Sequence, residues 1–396
     1  MPVAPYPVLL LTAAVGIVGS NSLVLSPIAG AVAGSFDGVV APDIVVAGAI
    51  YGIATAISAL VLAPQADRIG AARTLWLALA LLGVALGASA AAPGLLVLCT
   101  AQALAGLAAG AALPACYGLA VQIAPAGEES RTLGIVLSGW TLCLVAGVSG
   151  SALIAEFVHW RAVFALLAAF AGVVTLSVRR NAKADLAWQP APGPGVTSTP
   201  LGALRIRGIV PALGVCAAFM IAFYGVYAYL GAHLVTALGT STAGAGLATL
   251  AYGTGFGLAV VLDALIDRHG RERVAPWAFA AVTLVYAAMT LAAASAFALI
   301  ALCLVWGVVN HLGLNLIVGR LTALDGTRRG AILGLNSAVT YAAVFVATLA
   351  FRPVFDARGL AACGVLAALC VLPALADALL VRRRRGAPDV NGASSA

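Results

Sequence analysis

Ala66-Asp67-Arg68-Ile69-Gly70 is followed, after Arg73, by an unbroken apolar run from Leu75 to Ala92. Two hundred residues later, Ile266-Asp267-Arg268-His269-Gly270 leads past Arg271 and Arg273 into a second such run. Neither run alternates apolar and polar residues, as the strands of a membrane barrel do in segments of about 10. Inside a bilayer every backbone N–H and C=O needs a partner within the protein, so long continuous apolar runs form helices. The composition agrees. Of 396 residues, 63% are apolar and 9% charged, and the mean hydropathy is +1.08. Soluble domains carry about 25% charged residues, so a water-soluble globule is excluded, and so is a disordered chain. The fold class is an all-α membrane protein.

One crossing uses roughly 20 predominantly apolar residues. Twelve segments of that kind can be drawn, at 7–32, 44–63, 74–92, 95–123, 132–155, 162–178, 208–236, 243–265, 274–292, 294–319, 331–350 and 359–381. The first apolar stretch, from Pro7, lacks a basic leader and is read as the first span. Pro93-Gly94 separates spans three and four, whereas spans nine and ten meet near Ser295 without a strong turn signal. The longest polar stretch holds Pro190, Pro192, Pro194 and Ser198, a linker composition. The expected organisation is a six-helix bundle over 1–178, a linker over 179–207, a second six-helix bundle over 208–381 and a tail over 382–396. Lysine and arginine collect on cytoplasmic loops. With both termini inside, 18 of the 21 basic residues fall on the cytoplasmic face, leaving Arg161, Arg352 and Arg358 outside. The net charge of +7 therefore encodes orientation rather than an anionic partner.

The D-R-x-G loops are the first sign of an internal repeat. A second echo pairs Arg131 with Arg329, and Leu137-Ser138 with Leu335-Asn336. Parallel repeats of six spans are a transporter architecture, with the binding site near the midplane between them.

On these residues the chain resembles the major facilitator superfamily. The loop signature of that family, G-x-L-a-D-R-x-G-R-[KR], is matched here by Asp67, Arg68 and Gly70, with Arg73 supplying a nearby charge. Asp267, Arg268, Gly270 and Arg271 follow the pattern more closely. Gly147-Val148-Ser149-Gly150-Ser151 followed by His159-Trp160-Arg161 is similar to the fifth-span signature of the twelve-span drug/proton antiporter branch, which includes arabinose-efflux-permease-like exporters. Ser149 stands where that branch carries a proline. Gln102 and Gly106 stand where it carries R-x-x-x-G. The resemblance implies alternating access, with a gate in which the Asp67 loop latches the halves, Arg328 and Arg329 being its partners.

Polar residues inside spans are costly and face a cavity or another helix. Asn21, Tyr51, Gln102, Tyr117 and Trp140 in the first half, with Tyr224, Tyr227, Trp306, Asn310, Asn315, Asn336 and Tyr341 in the second, describe a weakly polar aromatic cavity suited to amphipathic small molecules. No acidic residue lies mid-span; Asp43, Glu156, Asp263 and Asp377 lie near span ends. The candidates for proton coupling are therefore His311 and His233, since histidine titrates near neutrality, and Asp43. Glycine-rich stretches such as Gly253, Gly255 and Gly257 read as close helix packing, not as a nucleotide fingerprint, which needs a strand-turn-helix context. The seven scattered cysteines read as small core residues.

The expected function is export of a drug-like or sugar-like solute across the inner membrane by proton antiport, the alternative being proton-coupled uptake. The partners are then the lipid bilayer, a small-molecule substrate and protons. No nucleic acid, cofactor or metal is called for, and the chain is expected to work as a monomer. A membrane enzyme or flippase would need catalytic carboxylates, a metal cluster or a nucleotide site. A passive channel would not need paired gating loops.

Overall fold

The computed structural model describes residues 5–62, 69–125, 129–184, 200–325 and 328–386, and every regular element among them is helical. Eleven helices are long and apolar enough to cross a bilayer. The last, Arg329–Gly386, is 58 residues long and breaks at Gly359, where φ is 70° and ψ −168°. That conformation is open essentially only to glycine. A bilayer core takes roughly 20 helical residues, so this element crosses twice, which brings the described residues to twelve passes.

Span one comprises Pro5–Leu23 and Leu25–Ala33, span two Ala41–Val61, span three Ala71–Ala90 and span four Leu95–Ile123. Span five is composite: Glu129–Leu137, Gly139–Leu142, a π-helical turn over Cys143–Val148, and Ser149–Phe157. Span six is Trp160–Ala184 and span seven Ile209–Thr236. Span eight is Thr242–Leu258, continued by a 3-10 stretch Ala259–Leu262 and a short helix Asp263–His269. Spans nine and ten are Arg271–Ala292 and Ala296–Thr322.

At three places the structure adds to the sequence expectation for a visible reason. Span six runs beyond residue 178, and the Arg179 guanidinium lies 5.3 Å over the Trp76 ring, tying the extension to span three. The linker carries an ordered 3-10 turn, Pro200–Arg205, whose Pro200 ring packs against Gly334 of span eleven. Ser295 is itself the signal between spans nine and ten: its hydroxyl accepts the Ala298 N–H at 3.3 Å and caps span ten, which supplies one orphan donor of the helix start with a partner.

The repeat is visible in packing. A Cβ on Gly106 would meet Tyr51 O at 2.3 Å and Thr55 N at 3.1 Å; one on Gly307 would meet Tyr252 O at 2.0 Å and Phe256 N at 2.7 Å. Each residue of the second set is numbered 201 above its counterpart in the first. Spans four and two thus touch backbone to backbone as spans ten and eight do, and only glycine lets helices approach so closely. The glycines that close the two D-R-x-G loops also match: Gly70 has φ 90° and ψ 139°, Gly270 φ 81° and ψ 142°. All seven cysteines are free, and none is exposed. Around the outside, large apolar side chains stand exposed, among them Leu96, Phe157, Leu291 and Phe297. Such a surface belongs against lipid.

Candidate functional site

Two faces of the bundle behave differently. One carries the D-R-x-G loops and most of the arginines; the other carries the loops between spans one and two, five and six, seven and eight, and eleven and twelve.

On that opposite face the halves are bound together. The Arg352 guanidinium at the end of span eleven pairs with the Asp43 carboxylate at the start of span two, and Arg352 Nε also lies 3.5 Å from Asp356. Glu156, closing span five, accepts the Thr242 N–H at 2.8 Å and the Ala243 N–H at 3.4 Å. Those amides open span eight, and a carboxylate there also gains from the helix dipole. Spans one and seven are joined by an exchange that proline creates. Pro27 has no N–H to give the Leu23 carbonyl one turn back; Tyr227 of the other half donates its hydroxyl to that oxygen at 3.3 Å. Ser26 donates its hydroxyl to Tyr227 O at 2.5 Å in return.

The His159-Trp160-Arg161 stretch braces the same face. Trp160 Nε1 donates to Ser35 Oγ at 2.8 Å, and Arg161 donates to Ala92 O at 2.8 Å. Ser149, in the place of the branch's proline, donates its hydroxyl to Leu144 O at 2.9 Å, five residues back across the π-helical turn. A hydroxyl thus satisfies a carbonyl inside a widened turn, the kind of local irregularity that recurs at functional sites.

Toward the arginine-rich face the contacts between the halves thin out among the described residues. Contact between spans five and eight runs from Gly246 on Ala152, through Gly253 on Leu144, to Gly257 on Thr141. Beyond that, Glu129–Leu137 packs on spans one and four, while Asp263–His269 packs on spans nine and ten, each within its own half. Between spans two and eleven, Tyr51 and Tyr341 meet edge to face at 6.1 Å, and Gly52 backs onto Val344.

Around this floor stand the polar residues singled out from sequence. Trp140 Nε1 donates to Tyr117 OH at 3.0 Å, and both rings are half-buried. Asn315 and Asn336 are also half-buried; Asn336 Oδ1 accepts the Cys216 thiol at 3.1 Å. Tyr224, Tyr227, Tyr252 and Trp306 cluster around Phe223 at ring separations of 4.8–5.4 Å, and Asn310 donates to Tyr252 OH at 3.2 Å. Asn21 and Gln102 sit apart from the opening. Their amides bond each other at 3.0 and 3.3 Å, Gln102 also donates to Ser89 Oγ at 3.1 Å, and all three are buried among spans one, three and four. A cavity of about 30 Å³ lined by Ser22, Tyr224, Tyr227 and Val344 remains between the halves. A larger one, about 360 Å³, lies wholly within the second half, lined by Arg271, Arg320 and Asp377.

The gating residues divide. Asp67 and Arg68 lie outside the described residues, as do the side chains of Asp267 and Arg329. Arg73 and Arg268 are exposed. Arg271 donates to Gly319 O at 2.7 Å, and Arg328 lies 3.7 Å from Asp325 of its own loop.

The coupling candidates divide too. Asp43 belongs to the opposite-face ion pair. His233 Nε2 bonds Ala293 O at 2.7 Å, joining span seven to the end of span nine. His311 Nε2 lies 3.1 and 3.2 Å from the two oxygens of Asp263. All four acidic residues near span ends thus have partners, Asp377 being held by Arg320. Sequence reasoning noted these acids without their long-range partners: Asp43 also accepts the Val40 N–H three residues away, but the partners on other spans lie 48 to 309 residues off.

Twelve membrane passes among the described residues, in two matched halves with polar and aromatic side chains between them, are the architecture of a membrane transporter. The chain belongs to the Major Facilitator Superfamily, which it matches over residues 8–348. It is 30% identical over 379 residues to an uncharacterized MFS-type transporter, YwfA, of Bacillus subtilis, covering 93% of this chain and 90% of that one. It is 27% identical over 180 residues to a chloramphenicol resistance protein of Streptomyces lividans, covering 45% and 46% of the two chains.

Proposed function

We propose that this transporter exports small amphipathic organic solutes from the cytoplasm by proton antiport, as a monomer in the inner membrane with both termini cytoplasmic. The observation that carries the reading is the pairing of a bound opposite face with an aromatic, amide-bearing site opening toward the arginine-rich face. By the charge rule that face is cytoplasmic, so the site is poised to load from inside. Tyr117, Trp140, Asn315 and Asn336 meet the solute first, with Tyr51, Tyr224, Tyr227 and Tyr341 forming the floor. Trp306 and Asn310 back the aromatic wall, while the Asn21–Gln102 pair stiffens the first half. The D-R-x-G loops act as the gate once the arginine-rich face closes. The resistance relative supports a drug-like solute and the outward direction.

The test is efflux of chloramphenicol and a panel of lipophilic dyes, first in cells depleted of their own pumps and then in inverted membrane vesicles. Expression should lower cellular accumulation, and a protonophore should abolish uptake into vesicles. Raised accumulation in cells overturns the direction, and protonophore-insensitive flux overturns the coupling.

A further inference from the structure

Resting on the reading that the solute is held between the halves, we propose that this site takes uncharged solutes bearing a hydroxyl, amide or carbonyl group. The Ser22, Tyr224 and Tyr341 hydroxyls receive that group. They stand on spans one, seven and eleven, so the cluster draws on both halves. Both phenols face the Ser22 hydroxyl, but no hydrogen bond closes there. Ser22 Oγ and Tyr341 OH are buried without a partner among the described residues.

Neighbouring hydroxyls show what Ser22 lacks. Ser20 donates to Gly16 O at 2.7 Å and Thr55 to Tyr51 O at 2.8 Å, each to the carbonyl one turn back. The carbonyl one turn before Ser22, Val18 O, accepts the Tyr51 hydroxyl at 3.4 Å instead. A buried polar atom left unpaired is costly, and each such atom calls for an explanation. Against Ser22 and Tyr224 lies the cavity of about 30 Å³. That is room for a single polar group or one water, and any relative movement of the halves widens it.

The charged groups of the spans are committed elsewhere. Asp43 is held by Arg352, Asp377 by Arg320, and Glu156 by the first amides of span eight. Asp263 meets His311, about three helical turns beyond Tyr252. His233 bonds Ala293 O. An ionic solute at the hydroxyl cluster would lose its hydration and find no opposite charge to replace it. Aromatic faces attract cations, but Phe223 is already covered by Tyr224, Tyr227, Tyr252 and Trp306.

A neutral solute loses only hydrogen bonds to water, and the cluster returns them, since each hydroxyl both donates and accepts. A site built to bond a hydroxyl also rejects an analogue without one, because its own buried groups then stay unpaired. The same unpaired oxygens therefore select for polarity, and the lack of a nearby charge selects against ions.

The test is binding to the full-length protein in detergent micelles without any gradient, read by microscale thermophoresis against empty micelles. The probes are chloramphenicol, its 1,3-diacetate, tetraphenylphosphonium and naphthalene-2-sulfonate. Chloramphenicol, neutral with two free hydroxyls, should bind at least tenfold tighter than each of the other three. A smaller ratio against any of them overturns the proposal. Ser22→Ala and Tyr341→Phe each remove a single oxygen. Each should weaken chloramphenicol binding at least fivefold, while the unfolding temperature of the ligand-free protein stays the same or rises, because the lost group had no partner. Unchanged affinity in either variant overturns the assignment of that hydroxyl, and lowered ligand-free stability with it would make the hydroxyl structural. A protein that binds as expected but does not lower chloramphenicol accumulation in cells would fail the export reading alone.

Discussion

The two halves share a packing plan and differ in what they place within it. In the first, spans two and four meet along Tyr51, Thr55, Gly106 and Gly110, and the polar content is neutral: Asn21, Ser89 and Gln102 close on one another. In the second, the same seam holds at Tyr252, Phe256 and Gly307 but gives way to His311 and Asp263 one turn later. The difference separates what both halves use to pack from what one half alone carries. Positions constrained alike in both halves are structural. Those constrained in one alone are where specialisation has been accommodated.

The strongest way to break this comparison is at the shared seam. A leucine at Gly106 or Gly307 must displace a backbone carbonyl that would lie 2.3 or 2.0 Å from its Cβ, and no rotamer relieves a clash at Cβ. Gly106→Leu and Gly307→Leu should each lose at least tenfold of folded protein, read by fluorescence-detected size exclusion. If one half tolerates the change, the two seams are not equivalent.

The next test separates seam from site. Gly110→Ala forces a methyl against Thr55 O and the Ser58 side chain, an overpacking that costs about 1–3 kcal/mol. It should lower the unfolding temperature of purified protein, followed by tryptophan fluorescence. His311→Ala, at the matching position, should lower that temperature less, since shortening a side chain there forces no atom against a backbone carbonyl. Equal destabilisation by both would make His311 a packing residue.

This asymmetry explains what could be read from the chain alone. The helical class, the number of crossings and the repeat all follow from apolar run length, arginine placement and the D-R-x-G loops, which are local properties. Gly70 and Gly270 were legible because a turn of positive φ calls for the same residue wherever it occurs. Asp263 was visible as an acid near a span end, but nothing local gives its partner. The pairing exists because span eight tightens into a 3-10 turn just before Asp263, and because span ten is in register to present His311. The Asp43–Arg352 pair bridges 309 residues, and one sequence does not say which of four acids meets which base. The small residues of span five were legible as packing, whereas the π-helical turn among them depends on the carbonyl that Ser149 can satisfy.

A subtler change tests the neutral network of the first half. Gln102→Leu leaves Asn21 and Ser89 buried without their shared partner, at a cost of about 1–3 kcal/mol. Asn21→Leu should cost about as much, and the double variant less than the sum, because the second substitution removes a group already stranded. Additive losses in thermal unfolding would mean that the amides act separately.

The smallest effect concerns the pair that joins the halves. Asp43 and Arg352 are a quarter to a third exposed, so their attraction is partly screened and contributes about 1 kcal/mol at most. That is enough for a roughly fivefold shift in a two-state equilibrium. Asp43→Asn should therefore leave thermal stability almost unchanged while enlarging the population open on the opposite face. Spin labels placed on the loops between spans one and two and between spans seven and eight would report it as a longer-distance component in double electron–electron resonance. The Glu156 contact with the start of span eight remains in that variant, so opening should be partial. Adding Glu156→Gln should then carry the population further in the same direction. If Asp43→Asn leaves the distance distribution unmoved, the face is held by the Ser26–Tyr227 exchange and glycine packing instead, and the ion pair is only a surface contact.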